Sequence, residues 1–571
     1  MRPLAAISLA APVFAALSMV VSAAQRGEPA RSASEVAFRD VSREAGLVFT
    51  HVNGASPQKH FVEIMGSGGL FLDFDNDGWI DIFLVDGGSE ADPKVDRTAR
   101  HRLFRNRQNG TFEDVTARSG IQHREYGMGA CAGDFDNDGL TDLYITSVGP
   151  NSLYRNAGNG AFLDVTTKAA VGSPLWSTSC AFVDVDRDGD LDLFVTSYVD
   201  MGTDRDRFCG NTRPVLLRGY CHPLNFRPSP NVLYRNSGTG TFTDDSGRAG
   251  VAGYRGNGLG VAVGDYDDDL WPDVFVANDA LPNFLFHNDG NGRFTETSLI
   301  AGVSVASDGK ARAGMGTAFG DADGDGRLDL VVTNHETEMH SLFRNPGGGA
   351  FADVTAASGV GRATLRYVGF GVVFADYDND ADLDLSIVNG HVIDNIAMFR
   401  SGAKHAQPRL LLQNAGAGRF RDVSAQSGPG FAAEKVGRTI VAGDIDNDGD
   451  LDFLVTNNGG PAELLRNDGG NRGNAVLLRL VGTASNRGAV GARVRATTGP
   501  RTQVREVTSG SSYLGQNDPR VHVGLAAAGM IDRLDIRWPS GRTESMRDVP
   551  PNQILTIREG AGIVDRSPLR R

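Results

Sequence analysis

Asp73-Phe74-Asp75-Asn76-Asp77-Gly78-Trp79-Ile80-Asp81 recurs, with its acids in place, until the chain holds seven copies. The later copies carry Asp134, Asp136, Asp138 and Asp142; Asp184, Asp186, Asp188 and Asp192; Asp265, Asp267, Asp269 and Asp273. They continue with Asp321, Asp323, Asp325 and Asp329; Asp376, Asp378, Asp380 and Asp384; Asp444, Asp446, Asp448 and Asp452. Carboxylates thus stand at relative positions 1, 3, 5 and 9 each time. A tight turn would aim residues 1, 3 and 5 inward, offer the carbonyl of residue 7 and close the shell with residue 9. That is an oxygen-donor set at loose geometry, which suits Ca²⁺ better than Mg²⁺. A solvated Asp-Gly turn explains one copy well, but not seven at one spacing. A helical EF-hand is excluded, because no amphipathic helix flanks the loops and the acid at position 12 is missing. Glycine supplies the turn at position 6 in Gly78, Gly139, Gly189, Gly326 and Gly449, whereas Leu270 and Ala381 replace it, where positive φ is costlier. Those two loops are expected to bind weakly or to open differently, so five to seven Ca²⁺ ions are expected.

At 571 residues the chain calls for several domains or a repeat architecture, and 40% hydrophobic content is enough for large cores. A formal charge of −14 argues against nucleic-acid partners. Much of it is site charge, since seven divalent ions would return about fourteen positive charges. Without them the loops repel themselves. Arg2, the apolar run Leu4 to Val21 and the small residues Ser22-Ala23-Ala24 read as an export signal over 1–24, followed by a linker over 25–35. An uncleaved anchor is the alternative for that run, and no second stretch could span a bilayer. Cys209 and Cys221 share one polar segment and could close a bridge contributing roughly 3 kcal/mol. Cys131 and Cys180 lie in apolar strand-like runs and read as buried thiols.

Two further phrases alternate with the acidic loops. Leu103-Phe104-Arg105-Asn106 leads into a Gly-rich turn and then Phe112-Glu113-Asp114-Val115. Short apolar runs such as Ile80 to Val85 follow each loop. The unit therefore holds about four strands joined by hairpins, which is the signature of a propeller blade. The last phrase, Leu464-Leu465-Arg466-Asn467, lacks a Phe-x-Asp-Val continuation, and Phe38-Arg39-Asp40-Val41 lacks a preceding partner. Pairing the two would tie the terminal blade with both ends. Gly-x-Gly runs before the loops, such as Gly127-Met128-Gly129, mark innermost strands crowded at an axis. The fold class is all-β: a seven-bladed β-propeller over 36–470 and a small β-sandwich domain over 471–560, rich in exposed arginine. Residues 561–571 read as a frayed tail. Insertions at 86–100, 198–230 and 392–407 are the natural places for binding specificity.

The loops together with the Leu-x-Arg-Asn and Phe-x-Asp-Val phrases resemble VCBS/FG-GAP repeats, the blades of integrin-α-type propellers. Asn486 to Val494, Ser509 to Arg520 and Arg537-Trp538-Pro539-Ser540-Gly541-Arg542 resemble the UnbV/ASPIC domain. Their order is similar to bacterial members of the cartilage acidic protein family, over roughly residues 36 to 560. The resemblance implies a secreted, calcium-binding propeller with a small β domain, and no settled activity.

Catalytic signals are thin. His335-Glu336-Thr337-Glu338-Met339-His340 spaces its histidines one residue too far for a zincin helix. His391 reads as a turn residue that could face the central channel. Ser509-Gly510-Ser511-Ser512-Tyr513 lacks the strand-to-helix setting of a nucleophile elbow. The expected function is an extracellular or periplasmic binding or adhesion module, monomeric, with structural Ca²⁺ and an unknown protein or glycan ligand. The alternative is a Ca²⁺-dependent enzyme, or an accessory protein of an exported biosynthetic or oxidative pathway, using the propeller channel or face. A deep channel lined by His391, Glu63 and unpaired carboxylates would favour the enzyme.

Overall fold

The computed structural model describes residues 36–88, 101–122, 125–202, 207–212 and 216–571. The export signal, the linker and the core of the 86–100 insertion lie outside them. The described chain is all-β, built from open sheets with only short helices.

Seven of the sheets are four-stranded, antiparallel and alike. In the first, Gly69–Leu72 pairs with Asp81–Leu84, then Arg102–Asn106, then Phe112–Asp114. Each acidic loop is the hairpin between the first two strands, so position 9 always opens the second strand. The innermost strands of the other sheets are Tyr126–Gly133, Ser177–Val183, Gly258–Gly264, Thr317–Gly320, Gly369–Ala375 and Gly437–Gly443. Each packs against the next in chain order, and Gly437–Gly443 packs against Gly69–Leu72. Aliphatic and aromatic side chains fill the spaces between neighbouring sheets, as where Phe71, Ile82 and Phe104 meet Val441, Leu454 and Leu464. The seventh sheet takes its outer strand from the far end of the chain: Ala37–Asp40 pairs with Glu463–Asp468, setting Phe38 opposite Asn467. That is the pairing expected from the two incomplete phrases.

The C-terminal part has two four-stranded sheets. Val476, Leu478, Leu480, Val494, Leu534, Ile536, Trp538, Leu555 and Ile557 lie fully or almost fully buried in one core. The expected tail over 561–571 is corrected, since Gly562–Pro568 forms a strand on Gln553–Arg558 and Leu569 is buried. The large apolar residues there, Ile563, Val564 and Leu569, are too few to stand out as a strand.

Two bridges use all four cysteines. Cys209–Cys221 closes the expected short loop. The reading of Cys131 and Cys180 as thiols is overturned: they are bonded, with Cα atoms 5.8 Å apart. They stand on the innermost strands of the second and third sheets, which meet face to face.

Candidate metal loops and the inserted C-terminal segment

One backbone arrangement serves the seven loops. The carboxylate at position 1 accepts from the amide of position 6 in all of them, at 2.7 to 3.1 Å. Its other oxygen accepts from position 5 in six, while in the fifth loop Asp323 takes the amide of Asp325 instead. The carboxylate at position 9 holds the amide of the asparagine that ends the Leu-x-Arg-Asn phrase, at 2.7 to 2.8 Å. Positions 4 and 6 both take positive φ. Leu270 (84°) and Ala381 (77°) adopt the conformation of Gly78 (84°), so the expectation that these two loops open differently is corrected for the backbone. These hydrogen bonds over-determine the turn and impose it on residues that would not choose it.

The acids converge. One carboxylate oxygen from each of Asp73, Asp75 and Asp81 lies within 4.8 Å of the other two, and the same holds for Asp134, Asp136 and Asp142 and for Asp184, Asp186 and Asp188. Oxygens around one Ca²⁺ at 2.3–2.6 Å stand no more than about 5 Å apart. At position 3 the outer oxygen is covered by a cation: Arg105 Nε lies 2.5 Å from Asp75 Oδ2, Arg235 Nη1 lies 2.6 Å from Asp186 Oδ2, and Arg155 holds Asp136. The inner oxygen is not. Oδ1 of Asp75, Asp136, Asp186, Asp267 and Asp446 is buried with no hydrogen-bond partner among the described residues. A buried anionic oxygen without a partner costs several kcal/mol unless a cation meets it, so the donor set fits a hard divalent ion. Burial pushes the carboxyls of Asp73 and Asp134 up to about 6, Asp184 to about 7, and Asp81 and Asp142 to about 9. In the fourth loop burial lifts Asp273 to about 7; in the fifth it lifts Asp321 to about 6 and Asp329 to about 8. Burial thus favours the protonated form of these groups, most strongly at Asp81 and Asp142.

The asparagine of the phrase has a role that sequence reasoning missed. Its Nδ2 crosses to the neighbouring loop and donates to the carbonyl of position 2 there. Asn156 reaches Phe74, Asn236 reaches Phe135 and Asn288 reaches Val185, each at 2.8 Å. Asn345 reaches Tyr266 and Asn414 reaches Ala322, both at 2.7 Å, and Asn467 reaches Tyr377 at 2.8 Å. Asn106 of the first sheet reaches Ile445 of the seventh, at 2.8 Å. Only the invariance of Asn across the seven phrases could have signalled this.

The C-terminal domain sits on the loops through its arginines. Arg479 donates to Asn76 Oδ1 at 3.0 Å, Arg501 to the Asp380 carbonyl at 2.8 Å, and Arg520 to Asn447 Oδ1 and the Asp444 carbonyl at 2.6 and 2.7 Å. Its segment Ser509 to Asn517 enters the place where the innermost strands meet. Ser512 exchanges backbone hydrogen bonds with Thr317, Tyr513 Oη donates to the Met65 carbonyl at 2.9 Å, and Gln516 Oε1 accepts from Ala132 at 2.9 Å. Tyr513 and Leu514 are fully buried. A Cβ on Gly68 would stand 1.8 Å from the Leu514 carbonyl oxygen, so the glycine there admits the plug as well as the neighbouring strand.

The remaining candidates are satisfied internally. His340 is buried away from His335, its Nδ1 accepting from the Asn334 amide at 3.1 Å. Glu336 instead pairs with His391 Nε2 at 3.2 Å and with Arg400 at 2.5 Å. Because His391 Nδ1 accepts from the Ile393 amide at 2.9 Å, Nε2 carries the proton and donates it to Glu336. Glu63 accepts from Ser56 at 2.6 Å and Tyr220 at 2.9 Å. Glu63 and His391, the residues that would have marked an enzyme's channel, are thus both hydrogen-bonded to neighbouring side chains.

A family model for the FG-GAP-like repeat matches residues 73–145, 134–195, 265–332 and 321–386, and one for ASPIC and UnbV matches 482–564. The chain is an FG-GAP repeat protein that carries an ASPIC and UnbV domain. It is related to cartilage acidic protein 1, at 30% identity over 357 residues with the protein of Homo sapiens and 30% over 337 residues with that of Mus musculus. These alignments cover 61% and 58% of this chain, which spans about half the length of the curated relatives it matches (50% and 49%). Among solved structures, a lectin of Agrocybe aegerita aligns with TM-score 0.36 at 16% identity, over 62% of this chain and 80% of the lectin. A likeness at that level bears on neither ligand nor activity.

Proposed function

We propose that the chain is an exported, calcium-stabilised β-propeller of seven blades that acts as a binding or adhesion module, with its C-terminal domain, from about residue 471 onward, as a fixed plug. The ring reading is supported by the asparagine clasps, which run from sheet to sheet and return from the first to the seventh. The observation that carries the calcium reading is the buried, partnerless Oδ1 at position 3, repeated from loop to loop. Export is supported by the pairing of all four cysteines, which suits an oxidising compartment. Among the described residues no helix is long and apolar enough to cross a membrane.

The plug argues for binding over catalysis. It fills the axis, and the arginines of its domain cover the loop face. The face at the other end of the strands remains for a ligand, and the described residues of the insertions over 198–230 and 392–407 belong to it. An envelope pull-down with and without Ca²⁺ tests this. Capture of a protein or glycan that is lost when the 198–230 insertion is shortened supports the module. Turnover of a small molecule with no retained partner supports the enzyme. Calorimetric titration of the chelated protein is expected to fill five to seven sites with affinities of roughly 10⁻⁴ to 10⁻³ M, and absence of heat would remove the metal.

A further inference from the structure

The seven loops act as controls for one another, and the fourth departs from the rest. The residue before the clasping asparagine is Arg105, Arg155, Arg235, Arg344 or Arg466 in five sheets and Gln413 in another. In the fourth it is His287. An arginine beside a carboxylate cluster can only neutralise it, because guanidinium has no free lone pair to offer. An imidazole can ligate.

The surroundings differ in the same direction. In the first two loops the converging oxygens come from positions 1, 3 and 9, and in the third from positions 1, 3 and 5. In the fourth, Asp267, Asp269 and His287 converge, with ligand atoms within 4.8 Å of one another. Asp265 is taken up otherwise: Arg537 Nη2 lies 2.5 Å from its Oδ2, and Arg493 donates to its carbonyl at 2.5 Å. His287 Nδ1 is hydrogen-bonded to Asp273 Oδ1 at 3.1 Å and lies 3.5 Å from Asp267 Oδ2. Asp267 Oδ1 is buried with no hydrogen-bond partner among the described residues. Asp269 is exposed, which leaves one side of the cluster open to water.

We propose that the fourth loop holds a borderline transition cation of the Zn²⁺ class, ligated by Asp267, Asp269 and His287, rather than Ca²⁺. Imidazole with carboxylates is the donor set such ions select, whereas Ca²⁺ takes oxygen. Three protein ligands with an open fourth side would leave the ion able to accept an outside donor, such as a carboxylate or imidazole of a partner.

This rests on the reading of the loops as cation sites, and the test separates the two. Full-length protein saturated with Ca²⁺ is titrated calorimetrically with Zn²⁺, then with Co²⁺ to read its visible absorption. His287→Arg and His287→Gln run in parallel, the second placing there the residue that the sixth sheet tolerates. Wild type is expected to take up one Zn²⁺ in the presence of Ca²⁺ and to give a Co²⁺ spectrum with nitrogen ligation. Both variants are expected to lose that uptake by at least tenfold while melting as the wild type does in Ca²⁺. Equal uptake by wild type and either folded variant overturns the assignment, as does no uptake by wild type. A Ca²⁺ titration of chelated wild type reports on the other loops independently: heat there with no His287-dependent Zn²⁺ sinks only the fourth-loop site.

Discussion

Asn236 makes the residue-scale argument concrete. Its amide donates to Asp192 at 2.7 Å, and its Nδ2 to the carbonyls of Leu191 at 3.0 Å and Phe135 at 2.8 Å, the second in another sheet. Asn236→Ala strands two buried carbonyls and is expected to cost about 1–3 kcal/mol in urea unfolding, against no more than about 0.5 kcal/mol for the exposed Asn109→Ala. Equal effects would deny the clasp. The loop aspartates give a pH signature. Burial raises their folded values, from about 6 at Asp73 and Asp134 to about 9 at Asp81 and Asp142, so the folded chain binds protons the unfolded chain has released. Stability without cation is therefore full below about pH 4 and falls as the pH rises through about 6 to about 9. With EGTA the melting temperature is expected to drop across that window, and with excess Ca²⁺ the drop should flatten. A melting temperature rising from pH 5 to 8 in EGTA would contradict the burial argument.

Among the elements, the loops and strands were legible because each phrase repeats, and repetition reveals a hairpin that one copy cannot. The partners of those strands were less legible. Cys131 and Cys180 each look like core residues of separate strands, and only the packing of adjacent innermost strands brings them together. Opening that bridge with Cys131→Ser and Cys180→Ser is expected to cost about 4 kcal/mol for a loop of this length, read as a shift of the urea midpoint. A shift equal to that of a buried Ser control would mean the bridge contributes nothing. Leu270 shows the opposite failure: its intrinsic preference argues for a different turn, and the amide bonds to Asp265 override it. The Ser509 to Asn517 segment has no hydrophobic period at all. Its Ser, Gly, Asn and Gln residues are hydrogen-bonding partners for strand ends elsewhere, which no local reading could assign.

At the scale of the whole molecule, one side of the array is acidic and the domain above it brings arginines, so charge complementarity and the inserted Tyr513 hold the two parts together. Tyr513→Ala leaves a cavity where the innermost strands meet and is expected to destabilise by about 3–5 kcal/mol, and to let limited proteolysis release the C-terminal domain. Resistance to proteolysis equal to wild type would mean the arginine contacts suffice alone. On the proposed reading, the array of sheets depends on cations in the loops. At 5 mM Ca²⁺ and the affinity expected of such sites, each filled loop adds about 1–2 kcal/mol, so several loops together outweigh any single contact described above. The direct measurement is the melting temperature of the full-length protein at pH 7.5, first in EGTA and then with Ca²⁺ restored. A large fall that Ca²⁺ reverses and Na⁺ at matched ionic strength does not is the predicted result; an unchanged melting temperature would contradict it.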